Sequence, residues 1–458
     1  MFDPGNVRVK AGELTLAARM LSDADRSHRG DYLRHGPYAG AIVKSVRKQR
    51  YGYFEIRAKT MKACVSNAFW LYDPHSDDPA VKFSAGDFSE EIDIFEITGG
   101  VDFEGKRKSC VGKLFGTIHF YLTPYLEGVV NGKKWRPGRT HQAKELDFLP
   151  ADDYHVYGFL WTPEKLAWYL DGRQVFTREN DGLFHRPLHV VLDSEILAGW
   201  FGVPDPKDLP AEFRIDYVRV WAAPEPRNTA LVPRMKIERD SYDWMERHRR
   251  VLEVVKHRRP EVVFVGDSIT HFWAGAESYG GELALPRWRQ AFGKITTLNL
   301  GYGWDRTGNV LWRLDHGEME GVDPKLVVLH IGGNNFTTTK NYEGNTAAET
   351  AEGVLAVLDR IRAKAPRAKI VLMGIFPFGA QPTAPHRVKA REANKILAAE
   401  AAKRANVVFL DITDNLVGAD GVYTREMARD FVHPTDAGYA VWVNALKPIF
   451  SEAGLALP

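Results

Sequence analysis

Apolar and polar residues alternate with a period of two along the first half of the chain and recur with helical spacing along the second. Val7 and Val9 alternate with polar neighbours. Ala11-Gly12-Glu13 turns the chain, and Leu14 and Leu16 resume the pattern. Phe54, Ile56 and Ala58 point one way while Glu55, Arg57 and Lys59 point the other, the pattern of a half-buried strand. Residues 157–161 and 166–170 flank Thr162-Pro163-Glu164, and Asp171-Gly172 marks the next tight turn, as in a hairpin. Val218 and Val220 alternate with Arg219 in the last such strand. Many short strands with almost no helical periodicity predict a β-sandwich.

Ala222-Ala223-Pro224-Glu225-Pro226-Arg227-Asn228 has two prolines and no periodicity, and residues 223–235 read as a linker. Beyond it Trp244, His248, Val251, Leu252 and Val255 recur at helical spacing. The basic residues around them, 247–250 and 256–259, read as a solvated helix face. Glu261-Val262-Val263-Phe264-Val265 and the runs 326–329, 370–373 and 407–410 are short and continuously apolar, as buried parallel strands are. Thr346-Ala347-Ala348-Glu349 forms a capping box ahead of Val354, Leu355, Leu358 and Ile361 on one stripe. Strands alternating with helices predict an α/β domain with a parallel sheet, whose sites form at the carboxyl ends of the strands. The expected organisation is two domains, 1–222 and 236–458, either side of the linker.

Glu91-Ile92-Asp93-Ile94-Phe95-Glu96 sets three carboxylates into an apolar strand. In a regular strand Glu91 and Asp93 share a face and Glu96 falls on the other. A β-bulge between Asp93 and Glu96 brings all three onto one face. Retaining glycoside hydrolysis requires two carboxylates facing one cleft, roughly 5 Å apart, one to attack the sugar and one to shuttle the proton. The alternative is a solvated acidic edge strand. Ile92, Ile94 and Phe95 argue against it, because they make the other face apolar.

This stretch resembles the bulged Glu-x-Asp-x-x-Glu signature of glycoside hydrolase family 16. Tyr51-Gly52-Tyr53-Phe54-Glu55-Ile56-Arg57 and Asn67-Ala68-Phe69-Trp70-Leu71 resemble that family's strands leading to the site. Tyr154-His155-Val156-Tyr157-Gly158 and Trp168-Tyr169-Leu170-Asp171-Gly172 resemble the hairpin after it, and Asp216-Tyr217-Val218-Arg219-Val220 the closing strand. The resemblance implies a concanavalin-like jelly-roll sandwich with a sugar-binding cleft on its concave face. It implies that Glu91 is the nucleophile and Glu96 the general acid/base. Asp93 sits between them, where its like charge can raise the proton donor's pKa. The bulged form of the signature goes with agarases, porphyranases, carrageenases and laminarinases.

Trp70 is a candidate platform for a sugar ring or an ordinary core tryptophan. His119 shares a strand face with Thr117 and Tyr121; it is a candidate hydrogen-bonding group near Glu96, or a structural histidine. Trp135, Trp200 and Glu195 are further candidates. The family's one or two strands preceding the segment that matches 2–16, with their tryptophan, are absent. Either the start codon is placed too late or the sandwich lacks an edge, and the same piece would carry any signal peptide.

At its expected strand ends the second half carries Gly266-Asp267-Ser268 and Gly332-Gly333-Asn334, and later Asp430-Phe431-Val432-His433. A serine at a strand-to-helix turn is exposed and fixed. A histidine takes its proton, and an aspartate three residues earlier holds the imidazole in the right tautomer. Thr270 occupies the last position of what would be a Gly-x-Ser-x-Gly elbow, so this is not that motif. Taken singly, Gly-Asp-Ser and Asp-x-x-His read as a turn and a helix cap. Together and in order, with Asn299-Leu300-Gly301-Tyr302-Gly303-Trp304-Asp305-Arg306 and Asn309-Val310-Leu311-Trp312-Arg313-Leu314, they resemble the SGNH (GDSL-like) hydrolases. The pattern is similar to that of the platelet-activating-factor acetylhydrolase catalytic subunits and of bacterial sugar O-acetylesterases. The resemblance implies an α/β three-layer fold with Ser268 as nucleophile, His433 as base and Asp430 as its orienter. The oxyanion hole it implies combines the Ser268 N–H, a backbone N–H in the turn at Gly303, Trp304 and Asp305, and the Asn334 side chain. Trp304 stands where that family commonly has glycine. Its indole would narrow the pocket and favour a small acyl group such as acetyl.

Composition adds limits. With 458 residues and a net charge of +2, the chain gives no sign of nucleic acid or a membrane surface as partner, and no apolar run is long enough to span a bilayer. The opening Met1-Phe2-Asp3-Pro4-Gly5-Asn6 lacks the basic and apolar regions of a signal peptide, although a polymer-degrading domain implies an extracellular or periplasmic place of action. Cys64 and Cys110 are the only cysteines, either a pair in an oxidising compartment or two free buried thiols, with no metal-binding spacing. The expected function is a bifunctional carbohydrate hydrolase needing neither cofactor nor metal. One domain is a retaining endo-β-glycanase on a polysaccharide or oligosaccharide; the other removes O-acyl groups from it. Agar, porphyran, carrageenan and β-1,3-glucan all fit. The alternatives are a sandwich that only binds carbohydrate and delivers the esterase, and a lipid esterase.

Overall fold

The computed structural model describes residues 2–23, 36–73, 88–122, 128–130, 133–135, 139–180, 182–224, 226–238, 240–274, 285–339 and 341–458, with the backbone alone for 88, 121–140 and 285. The chain divides into two compact units, Met1–Glu225 and Pro226–Pro458.

Two antiparallel sheets build the first unit. One runs Val7–Lys10, Glu13–Met20, Ala211–Ala222, Gly52–Lys59, His155–Trp161, Lys165–Leu170, Arg173–Glu179, with Tyr38–Ala39 added to Glu13–Met20. The other runs Arg139–Glu145, Lys113–Leu122, Phe88–Thr98, Ser66–Asp73, Leu188–Glu195, Ala41–Gln49. The alternation of 52–59 is obeyed: Phe54, Ile56 and Ala58 are buried while their neighbours are half-buried. The inner faces meet through aromatic rings, with Phe95 4.3 Å from Tyr157 and 6.1 Å from Phe213.

The Phe88–Thr98 strand carries the bulge. Asp93 pairs with Thr117 and Glu96 with Phe115, so Ile94 and Phe95 together face Gly116. On its other side Phe69 pairs with Phe95 and Trp70 with Asp93, again skipping Ile94. The extra residue reverses the parity of the strand. Ile92, Ile94, Phe95 and Ile97 stay buried, while Glu96 joins Glu91 and Asp93 in lining the cleft. The buried Trp168 of the facing sheet holds the irregular backbone, donating from Nε1 to the Asp93 carbonyl at 2.9 Å. Gly116 makes room for it: a Cβ at this position would lie 3.0 Å from that nitrogen.

The second unit has a five-stranded parallel sheet in the order Thr297–Gly301, Val262–Gly266, Leu326–His330, Lys369–Met373, Val407–Leu410. Its central strands are buried along their whole length, as helix-covered parallel strands are. Below them Trp273 stacks on Trp442 at 4.3 Å and on Tyr439 at 5.0 Å. The Ala347–Lys364 helix begins with the expected capping box between Thr346 and Glu349.

Two local expectations change. The stretch 226–235 is not a free linker. Asn228, Ala230, Val232, Arg234 and Met235 are buried in the second unit. Asn228 Nδ2 bonds the Glu349 carbonyl at 2.8 Å, and Thr307 Oγ1 bonds the Ala230 carbonyl at 2.8 Å. Such residue-by-residue anchoring has no period to detect. In the basic run, Arg247 is buried rather than solvated. Its guanidinium bonds the carbonyls of Gly301 at 2.9 Å and Asn299 at 3.1 Å, while Arg249 and Arg250 pair with Glu246.

Trp168→Phe keeps the ring and removes the donor to Asp93. A buried carbonyl left without its partner costs about 1–3 kcal/mol. Urea unfolding followed by far-ultraviolet circular dichroism should show that loss in the transition of the first unit, with the second unit's transition unmoved.

Candidate active sites

A cleft of about 650 Å³ lies over the sheet of the first unit, lined among others by Glu91, Asp93, Glu96, Trp70, His119, Asp193, Glu195 and Trp200. Each acid has a strand-level reason for its place. Glu91 pairs with His119 across the ladder. Ala68 pairs with Glu96 on one side and with Asp193 on the other, so a methyl group alone separates two carboxylate-bearing strands. Trp70 donates from Nε1 to Asp193 Oδ2 at 2.8 Å, which fixes the indole at the cleft wall. Thr117 Oγ1 lies 3.1 Å from His141 Nδ1, and His141 stacks on Phe115 at 5.1 Å.

The electrostatics follow from crowding acids in a dry place. Burial first, then the charges of Asp193, Glu91 and Glu195, push the Glu96 carboxyl up to about 8. Burial and the charges of Glu96, Glu91 and Asp193 hold Asp93 well above the usual carboxylate range. Asp193 is raised as well, by burial and Glu195, partly offset by the Trp70 hydrogen bond.

In the second unit three strand ends converge. Ser268 opens the Ser268–Ala274 helix directly after Val262–Gly266. Asp267 caps that helix, accepting the Ile269 N–H at 3.0 Å. His433 Nε2 lies 2.9 Å from Ser268 Oγ, and His433 Nδ1 lies 2.7 Å from Asp430 Oδ2. Burial would raise Asp430, but the backbone and ring N–H groups of His433 bond it and hold it below its ordinary value. Asn334 follows Gly332, whose φ of +124° suits glycine. Its amide donates to the Asp305 carbonyl at 3.0 Å, which leaves its second N–H available.

The turn after Thr297–Gly301 has one free donor. Gly303 N–H bonds His271 Nδ1 at 3.1 Å and Asp305 N–H bonds the Tyr302 carbonyl at 3.2 Å. Among the described residues, Trp304 N–H has no partner within the chain. His271 is kept neutral, its pKa lowered to about 2 by burial and then by Arg247, Lys236 and Arg313, so its Nδ1 can accept. Trp304 adopts a φ of +61° and its side chain is exposed.

Known proteins divide along the same line. Residues 1–223 match the family model of the GH16 domain of β-porphyranases A–D, and residues 264–441 match that of the GDSL-like lipase/acylhydrolase family. The platelet-activating factor acetylhydrolase IB subunit alpha2 of Rattus norvegicus is 36% identical over 226 residues, 49% of this chain and 91% of that protein. The alpha1 subunit of Homo sapiens is 34% identical over 206 residues, 45% of this chain and 82% of that protein. Among solved structures, a κ-carrageenase from Pseudoalteromonas carrageenovora is 27% identical with a TM-score of 0.35, covering 48% of this chain and 83% of that one.

The second unit belongs to the GDSL-like hydrolases. The first is a glycoside hydrolase family 16 domain, so one chain carries two hydrolase domains.

In the GH16 domain Glu91, Asp93, Glu96, Trp70, His119, Glu195 and Trp200 share one cleft. One detail differs from expectation. His119 faces the other end: its Nε2 is 3.7 Å from Glu91 Oε1 and 3.6 Å from Asp93 Oδ2, because the register sets it opposite Glu91 and sets Glu96 opposite Phe115. Asp93 and Glu96 repel each other, with Glu96 the first of the charges that raise Asp93, and Asp193, Glu91 and Glu195 add to what raises Glu96. Asp193 had no signal of its own in the sequence; it sits in an apolar strand distant from the motif. The side chains of Tyr121 and Trp135 lie outside the described residues. In the GDSL-like domain Ser268, His433 and Asp430 come together. The Gly303 N–H is taken by His271, so of the donors expected in this turn the Trp304 N–H is the one without a partner among the described residues.

Glu91, Asp93 and His119 each offer one ligand atom, and these atoms lie within 4.8 Å of one another, a spacing three metal ligands could share. A cation there would occupy the carboxylates themselves. Cys64 and Cys110 are both free thiols.

The raised Glu96 is directly measurable. The protonated-carboxyl infrared band that Glu96→Gln removes should persist at neutral pH in the wild type and titrate near pH 8. In Asp193→Asn it should titrate at lower pH, because one of the charges pushing it up is gone.

Proposed function

We propose that the chain is a bifunctional carbohydrate hydrolase. The GH16 domain cleaves β-glycosidic bonds within a polysaccharide with retention, and the GDSL-like domain removes acetyl or similar O-acyl groups from the same polymer or its fragments. What carries this reading is that each unit gathers a full set of groups for its own chemistry, three carboxylates in one cleft and a hydrogen-bonded Ser268–His433–Asp430 chain.

In the glycanase, Glu91 attacks the anomeric carbon while Glu96 protonates the departing oxygen; Glu96 then takes a proton from the water that releases the sugar. A proton donor held up to about 8 is charged with its proton at neutral pH. The sign is fixed: the acid form is the active one, so cleavage persists through neutral pH and declines as pH rises through about 8. Trp70, held by Asp193, offers the sugar ring an apolar face. In the esterase, His433 takes the proton as Ser268 Oγ attacks the acyl carbon, and Asp430 keeps the imidazole oriented and stabilises its charged form. The N–H groups of Ser268 and Trp304 and the Asn334 amide receive the oxyanion.

Fusion makes chemical sense, since an acetyl ester on a sugar hydroxyl removes a donor that a glycanase cleft would bind. The match to β-porphyranases makes an algal galactan the first polymer to try, with β-1,3-glucan next. A polymer of that size acts as substrate outside the cytoplasm, so we place the enzyme in the extracellular or periplasmic space. No helix among the described residues is long and apolar enough to cross a membrane. The identity to platelet-activating factor acetylhydrolase subunits favours a second reading of the esterase, as a lipid acetylhydrolase.

A polysaccharide panel, assayed for reducing ends and for released acetate, tests both domains. Glu91→Gln should abolish reducing ends and leave acetate release intact. Ser268→Ala should cut acetate release by about 10⁴- to 10⁶-fold and leave chain cleavage intact. If the wild type cleaves no polymer, or Glu91→Gln cleaves normally, the sandwich is a binding module. Activity on acetylated phospholipid but not on acetylated sugar would select the lipid reading.

A further inference from the structure

We propose that Lys236 is a positioning residue of the esterase centre: through the Gly303 carbonyl it fixes and polarises the peptide whose other end is the Trp304 N–H. The inference rests on the esterase reading above and adds a residue to it.

Carbonyl and N–H of one peptide point opposite ways, so whatever grips the Gly303 oxygen also aims the Trp304 hydrogen. Two donors grip it. Lys236 Nζ lies 2.8 Å from the Gly303 oxygen, and Tyr242 Oη donates to the same oxygen at 3.1 Å. Lys236 is buried, with its side chain 1% exposed, and its counter-ion is Asp240 Oδ2 at 2.7 Å. The fit leaves no slack: a Cβ on Gly303 would lie 2.6 Å from Asp240 Oδ2 and 3.0 Å from Tyr242 Cε1. On the other side, Gly303 N–H is anchored to His271, one turn along the helix that Ser268 opens.

A tryptophan at φ +61° needs such restraint. The left-handed region is costly for a non-glycine residue, and it persists only where neighbours over-determine the backbone. A cation on the carbonyl does more than hold. Hydrogen bonds polarise one another along a chain, and a charged donor does so more strongly than a neutral one. The Trp304 N–H at the far end becomes a better donor to developing negative charge. Stability alone does not account for the pair, because buried ion pairs are often matched or bettered by apolar residues. Lys236 and Asp240 also precede residues 264–441, the part that matches the family model, so the clamp comes from the arm ahead of it.

The test is Lys236→Met combined with Asp240→Asn, which removes the cation without orphaning its buried counter-ion, in the full chain with p-nitrophenyl acetate as substrate. Sites are counted by end-point labelling with a fluorophosphonate. Per labelled site, kcat should fall about 10- to 100-fold, less than the 10²–10³ of deleting a donor outright. KM should hold, and affinity for a methyl trifluoromethyl ketone, which presents an oxyanion to the serine, should fall with kcat. Tyr242→Phe, which removes the other donor and changes no charge, should show the same pattern at smaller amplitude. Unchanged kcat per site in both variants, or a raised KM with kcat and ketone affinity intact, would overturn the proposal. Full activity in Ser268→Ala would instead overturn the esterase reading beneath it.

Discussion

A carboxylate taken out of water costs several kcal/mol unless a cation or hydrogen-bond donors replace its hydration. The two candidate sites meet this constraint in opposite ways. In the second unit the two buried acids behind the Trp304 turn, Asp305 and Glu318, are matched. Arg313, fully buried, bonds Asp305 Oδ2 at 2.8 Å and also reaches Glu318. Trp244 Nε1 bonds the other oxygen of Asp305 at 2.7 Å, and Tyr302 and His248 bond Glu318. Burial would raise Glu318, yet Arg313 and these donors hold it below its ordinary value. The matched network braces the turn that carries Trp304. In the first unit Asp93, Glu96 and Asp193 have no lysine or arginine ion pair among the described residues. Their repulsion favours a proton held at Glu96 at neutral pH, and a retained proton is what a general acid needs.

The two proposed centres therefore draw on different resources. The glycanase uses a field of like charges set around one carboxyl, and its backbone contribution is the bulge that brings those charges together. Trp168 and Gly116 maintain that bulge from the facing sheet and the neighbouring strand. The esterase uses donors whose direction is fixed in advance, each tied down at its far side: Asn334 by the Asp305 carbonyl, the Trp304 peptide by Lys236 and Tyr242, and His433 by Asp430.

Local pattern carried much of this. The period-two runs, the apolar parallel strands, the capping box at Thr346 and the order of the serine, asparagine, aspartate and histidine blocks are all written in neighbouring residues. The bulge was legible too, because the spacing of Glu91, Asp93 and Glu96 makes sense only with one extra residue. What stayed hidden depends on residues far apart in sequence. Asp193 meets Glu96 through the register of three strands, and nothing around Asp193 signals it. Lys236 lies in a stretch without periodicity, since the arm is held by single side-chain bonds: Asn228 donates to the Glu349 carbonyl, and Thr307 and Asn309 donate to the carbonyls of Ala230 and Arg234. Arg247 looked solvated because its neighbours are basic, while its own partners are carbonyls some fifty residues away.

The central claim is that one chain holds two separate covalent catalysts. Peptide mapping by mass spectrometry tests it most directly, after joint exposure to an activated 2-deoxy-2-fluoro glycoside of the cleaved polymer and an alkyl fluorophosphonate. The account predicts two adducts on each molecule, the sugar on Glu91 and the phosphonate on Ser268, each forming at the same rate whether or not the other is present. A chain that takes no sugar, or takes it on a residue other than Glu91, or carries the phosphonate elsewhere than Ser268, would contradict it.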